Sequence, residues 1–184
     1  MQGTLIANVC YLIVIMSSLD SIPISNLMSS PVKTVTENNT VQQACKTMVQ
    51  NNIGSVIVTG ASSQAPLGII TERDIVRHLA EKPISFAAPV VDTMSRPLVT
   101  MHPNGSLRDA LQAMQSRDIR RLVIVSNDGN TLAGIVTDKD IFRFITRNES
   151  VASTFVNEDI LSRNRELTDH FSTNLLEDII NRKW

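Results

Sequence analysis

Apolar residues recur at Val41, Ala44, Cys45, Met48 and Val49, and again at Leu107, Ala110, Leu111 and Met114. That i, i+3, i+4, i+7 spacing predicts two helices, each with one stripe turned to a core. Thr40 and Ser106 stand where each helix needs an N-cap, with Gln43 and Asp109 three residues on, the pattern of a capping box. Beyond the helices the pattern changes to short continuous apolar runs, at 55–59 and 121–126, which predict buried strands. The runs at 67–71 and 132–137 predict their neighbours, and Asn127-Asp128-Gly129-Asn130 is a tight-turn sequence between the second pair. Helices are expected again over 72–82 and 138–148, and short extended segments over 28–36 and 94–102.

These elements come in the same order twice. Gly-Ile-Ile-Thr-Glu-Arg-Asp at 68–74 returns as Gly-Ile-Val-Thr-Asp-Lys-Asp at 134–140, and the same shift aligns Pro23 with Pro89 and Arg77 with Arg143 without a gap. Met28/Met94, Pro31/Pro97, Thr34/Thr100, Ala44/Ala110, Met48/Met114 and Ile53/Ile119 match along the way. Self-similarity of this kind marks one structural unit used twice. Each unit reads β-α-β-β-α, too small to bury a comfortable core alone. The fold class expected is therefore α+β, with two β-α-β-β-α units packed as a pseudo-twofold pair around one core. The boundaries expected are an apolar extension over 1–19, unit 1 over 20–83, unit 2 over 84–147 and a helical extension over 148–184.

Composition narrows the function. The 184 residues carry a formal charge of −1, which gives no global field for nucleic acid or an anionic membrane. Arg108, Arg117, Arg120 and Arg121 form the one dense basic cluster, read either as a solvated edge or, for Arg120 and Arg121 above all, as a contact for a phosphate. No aromatic platform for RNA lies beside them. Cys10 and Cys45 follow no metal-ligand spacing, and His78, His102 and His170 are scattered, so no metal site is expected and a reducing cytoplasm fits. The apolar stretch from Thr4 to Met16 is too short to span a bilayer. It reads as a strand or short helix covering part of the fold, or as sequence upstream of a start at Met16. Near the other end, Ile160, Leu167, Phe171, Leu175 and Ile179 recur mainly every four residues, a helix with one apolar stripe that packs on its own module or a dimer mate. An enzyme finds no support: there is no P-loop lysine, no dinucleotide glycine fingerprint and no nucleophile spaced with a base.

The repeated phrase admits two readings. Thr71 and Thr137 sit where a strand becomes a helix, so each hydroxyl can cap that helix, while Asp74 and Asp140 complement the positive end of its dipole. Gly68 and Gly134 then serve close backbone approach. The same geometry suits a nucleotide, because free N–H groups and a threonine hydroxyl meet phosphate while a carboxylate one turn in accepts both hydroxyls of a ribose.

The paired pattern Gly-h-h-Thr-x-x-Asp (h, apolar) closing a unit that begins Met-Ser-x-Pro-h-x-Thr resembles a tandem of cystathionine-β-synthase-type domains, the CBS pair or Bateman module. The resemblance covers about residues 20–147. One departure is Leu122 or Val123, where many members have a proline in the second copy, which should alter strand-edge detail rather than fold. It implies a non-catalytic regulatory module that binds AMP, ADP, ATP or S-adenosylmethionine in clefts between the units. Carried over, Asp74 and Asp140 hold the ribose, and Thr71 and Thr137 contact ribose or phosphate. Lys33, Thr34, Val35, Thr100 and Met101 frame the base, and Gly54, Ser55, Arg120 and Arg121 line the cleft. The ligand acts as effector rather than cofactor. A flat homodimer and a separate effector protein are implied, with no role for membrane or nucleic acid. The other reading open to the residues is a structural or RNA-associated adaptor with unused clefts.

Overall fold

Local capping sets the helices. In the computed structural model, which describes residues 19–63, 65–81, 86–148 and 151, helix α1 (Val41–Asn51) starts at Thr40, whose side chain accepts from Gln43 N–H while the Gln43 side chain accepts from Thr40 N–H. Helix α3 (Leu107–Ser116) starts in the same way with Ser106 and Asp109. Both expected capping boxes are present. The second helix of each copy is α2 (Glu72–Glu81) or α4 (Asp138–Arg147), and 3-10 turns stand at Ile24–Asn26 and Val90–Asp92. The Thr4–Met16 stretch, Cys10, His170 and the C-terminal apolar stripe lie outside the described residues.

Strands β1 (Thr34–Thr36), β2 (Ser55–Thr59) and β3 (Pro66–Thr71) form one sheet in that order, and β4 (Thr100–Met101), β5 (Arg121–Val125) and β6 (Leu132–Thr137) form another. β1 runs parallel to β2, which the intervening helix permits, and β3 returns antiparallel to β2. β4 is likewise parallel to β5. The fold is thus α+β with two β-α-β-β-α units. In the turn after β5, Gly129 has φ 74°, and the Ser126 hydroxyl and Asn130 N–H bond the Asp128 carboxylate and hold its pKa below the usual value.

Compact packing does not follow the sequence repeat. Among the described residues, one compact unit holds those of 29–103 and 123–135, and the other holds those of 19–28, 104–122 and 136–148. Within the first, Val35, Val41, Ala44, Met48, Val56, Val58, Ile70 and Ile75 pack with Val90, which comes from the leading segment of the second copy. Val41 N–H donates to Ala88 O and Val90 N–H to Asn39 O, both at 2.9 Å. A second cluster in this unit joins Ile57 to Val123 and Val125, flanked by Val32, Ile69, Leu98, Leu132 and Ile135. Residues of both copies therefore share a core, as the size argument requires.

The other unit repeats the arrangement with the copies exchanged. Here the leading segment of the first copy meets the helices of the second: Ile24 N–H donates to Gly105 O at 2.8 Å and Leu107 N–H to Ile22 O at 2.9 Å. Ile24, Leu107, Ala110, Leu122, Val136 and Ile141 are buried there.

One apolar position was misplaced by periodicity. Val49 is 81% exposed rather than part of the α1 stripe. At 3.6 residues per turn it sits roughly 110° round the helix from the face of Val41, Ala44 and Met48, and the core covers only that narrower face.

Candidate functional site

Each copy passes from strand to helix at a threonine, where the first N–H groups of the helix need partners. Thr71 Oγ1 accepts from Asp74 N–H at 3.1 Å. In return, Asp74 Oδ2 accepts from Thr71 N–H at 2.9 Å and from the Thr71 hydroxyl at 2.6 Å. Thr137 and Asp140 repeat the three bonds at 3.2, 2.9 and 2.6 Å. The capping reading of the phrase is met in both copies, and it already occupies one oxygen of each aspartate.

The chain before each corner is tied in by one more bond. Glu72 N–H donates to Gly54 O at 3.2 Å, and Asp138 N–H to Arg120 O at 3.1 Å. Ser55 lies opposite Thr71 in the β2–β3 register. Gly54, Ser55, Thr71 and Asp74 are thus gathered at one corner, and Arg120, Thr137 and Asp140 at the other, with Arg121 opening β5. All eight are neither fully buried nor fully exposed.

The other candidates lie on strands. Lys33 and Thr34 are exposed, whereas the Val35 side chain is buried in the core, so Val35 can meet a ligand only through its main chain. Thr100 is exposed and Met101 half-buried, paired with Val123 and Ile124.

The second carboxylate oxygens differ. Asp74 Oδ1 accepts from the Ser95 hydroxyl at 2.8 Å, while Asp140 Oδ1 lies 3.9 Å from Arg143 Nη1. Ser95 escaped the sequence reading, although the Met-Ser-x-Pro pattern contained it, because nothing local says that this serine reaches the corner of the other copy. Of the remaining basic residues, Arg108 pairs with Asp20 at 3.0 Å, and Arg117 is exposed at the end of α3. His102 is exposed, with Nδ1 3.2 Å from Ser126 O. Among the described residues no group of three His, Cys, Asp or Glu is placed to hold a metal ion, and no helix is long and apolar enough to cross a membrane.

Comparison with known proteins agrees with this architecture. The CBS domain profile matches residues 24–81 and 88–147, and the chain belongs to the CBS domain family. CBS domain-containing protein YhcV of Bacillus subtilis is 38% identical over 135 residues, covering 73% of this chain and 93% of that protein. The chain spans a smaller share, 31% and 42%, of two other curated relatives. The CBS domain protein PAE2072 from Pyrobaculum aerophilum, complexed with AMP, shares the fold with TM-score 0.60 and 24% identity, over 65% of this chain and 89% of that one. The CBS domain pair of protein MJ0100, in complex with 5′-methylthioadenosine and S-adenosyl-L-methionine, has TM-score 0.61 and 25% identity, over 68% of this chain and 96% of that one.

Proposed function

We propose that the chain is a non-catalytic regulatory module that binds an adenosyl ligand at its two Thr-x-x-Asp corners and signals occupancy to a separate effector protein. The observation that carries this reading is the pair of corners itself. Two strand-to-helix junctions, one in each copy of a CBS pair, present the same threonine and aspartate with the same three hydrogen bonds. Asp74 and Asp140 are the acceptors for ribose hydroxyls, and Thr71 and Thr137 stand beside them at helix N-termini suited to phosphate. Lys33, Thr34, the Val35 main chain, Thr100 and Met101 frame the base, with Gly54, Ser55, Arg120 and Arg121 lining the approach. The adenosyl ligands of the MJ0100 CBS pair support the ligand class. Assembly as a homodimer belongs to the same proposal, and Val76, 66% exposed, and Leu79, 43% exposed, leave apolar surface on α2 for it. Cytoplasmic residence fits cysteines without a pairing pattern.

The test is a thermal-shift panel of AMP, ADP, ATP, S-adenosylmethionine, coenzyme A and NAD on the wild type and on an Asp74→Asn/Asp140→Asn variant, which keeps a capping oxygen at both corners. A ligand at a hundred times its Kd adds about 2.7 kcal/mol, or roughly 5–10 °C at this size. A shift confined to adenosyl ligands and lost in the variant supports the module. No shift with any ligand leaves the corners as architecture and favours the adaptor.

A further inference from the structure

The two corners are built alike but are not equally free to accept a ligand. An ionised carboxylate offers about four acceptor positions, two on each oxygen. On Asp74 three are taken: Oδ2 serves Thr71 N–H and the Thr71 hydroxyl, and Oδ1 serves the Ser95 hydroxyl at 2.8 Å. On Asp140 only the two on Oδ2 are taken by hydrogen bonds, among the described residues. Its Oδ1 faces Arg143 Nη1 at 3.9 Å, beyond hydrogen-bonding distance. That arginine side chain is 66% exposed, so the ion pair is weak and easily displaced. A ribose brings two hydroxyl donors on adjacent carbons. Asp140 can receive both as it stands, whereas Asp74 has one position left.

We propose that Asp140 is the open acceptor and that Ser95 keeps Asp74 self-satisfied, so that a ligand diol has to displace the serine hydroxyl before it binds there. This rests on the reading that the two aspartates take the ligand's ribose. Ser95 cannot retreat by moving its backbone, because its N–H donates to Ile69 O at 2.8 Å and its carbonyl accepts from Ile69 N–H at 3.1 Å. Its side chain is exposed, however, and rotation about one bond turns the hydroxyl to solvent. The serine therefore acts as a competitor rather than a block, and it biases the order in which the two corners fill. One hydrogen bond of this kind corresponds to roughly a 3- to 10-fold difference in affinity.

Isothermal titration of the full chain with AMP, and separately with S-adenosylmethionine, tests the proposal. Asp74→Asn leaves the Asp140 corner, and Asp140→Asn leaves the Asp74 corner. The expected result is tighter binding to Asp74→Asn than to Asp140→Asn, by about 3- to 10-fold. Adding Ser95→Ala to Asp140→Asn should recover that difference, and adding Ser95→Thr, which keeps a hydroxyl, should not. Melting temperatures of the four variants check that each remains folded. Equal affinities at the two corners would overturn the asymmetry while leaving the adenosyl reading intact. Weaker binding in Ser95→Ala would also overturn it, by making the serine a ligand contact. Binding by neither ligand to the wild type would remove the asymmetry together with the reading it rests on.

Discussion

Ile69 and Ser95 exchange both backbone hydrogen bonds, and Ser29 and Ile135 do the same with the same two distances, 2.8 and 3.1 Å. The leading Met-Ser of each copy thus adds to the last strand of the other copy, with isolated antiparallel bridges at both places. Pro23 with Ser106 and Thr40 with Pro89 form a second reciprocal pair of bridges. A residue of one copy should then be essential to the stability of the other. Val90 is fully buried among residues of the first copy, and Val90→Ala should cost roughly 1–3 kcal/mol in urea unfolding. A loss below a few tenths of a kcal/mol would show that the leading segment is dispensable to that core.

Gly68 is required by the same junction. A Cβ placed there would stand 2.5 Å from Met94 Sδ and 3.1 Å from the Ser95 carbonyl oxygen. The methionine end can swing aside, but the carbonyl is held in the bridge to Ile69. Gly68→Ala should therefore destabilise by about 1–3 kcal/mol, which lowers Tm by several degrees at this size. Gly68→Val should cost more. Unchanged melting in both variants would show that the strand and the leading segment are not packed this closely.

The corner threonines have a stability role that is separable from binding. Thr71→Ala and Thr137→Ala each remove a hydroxyl that both accepts from the aspartate N–H and donates to its carboxylate. Each should cost about 1 kcal/mol without any ligand, and Thr→Ser at either position should restore most of it. Denaturation of ligand-free protein is the measurement, and full stability of the alanine variants would remove the cap from the account.

Asn52 and Asp118 occupy corresponding places after α1 and α3, with φ of 52° and 49°. Left-handed backbone strains residues with a Cβ, and asparagine and aspartate tolerate it best. Asp118→Gly should hold or slightly raise Tm, whereas Asp118→Val should cost about 1–2 kcal/mol. Equal melting temperatures for the two variants would count against this conformation.

Cys45 packs against the core of the first compact unit, and burial pushes its thiol pKa up from about 9. The folded protein then holds the thiol proton at a pH where the unfolded chain has begun to lose it. The corresponding stability is present below about pH 9 and declines as pH rises through the folded value. In a Cys10→Ser background, alkylation of Cys45 at pH 8 should be much slower in native protein than in urea-unfolded protein. Equal rates would show the thiol to be freely ionised.

The α+β class, the repeat, the strands, the four helices of the repeats and their four starts were readable because each depends on contacts within a few residues. Capping boxes link positions three apart, and strand runs and stripes report burial through local period alone. Thr71, Asp74, Thr137 and Asp140 could be named for the same reason, since the corner is a local motif. Val49 went astray because period shows which residues are apolar and not how wide a face the core covers.

The sequence by itself determined two copies of one unit and a threonine–aspartate corner in each. Only the tertiary structure decided which copy's leading segment lies against which strand, because both copies carry the same Met-Ser-x-Pro segment and nearly the same strand to receive it. Local preference is equal for either pairing. The structure resolves the tie by exchange, in backbone bonds between residues far apart in the chain, and that exchange brings the hydroxyl of Ser95 to the carboxylate of Asp74.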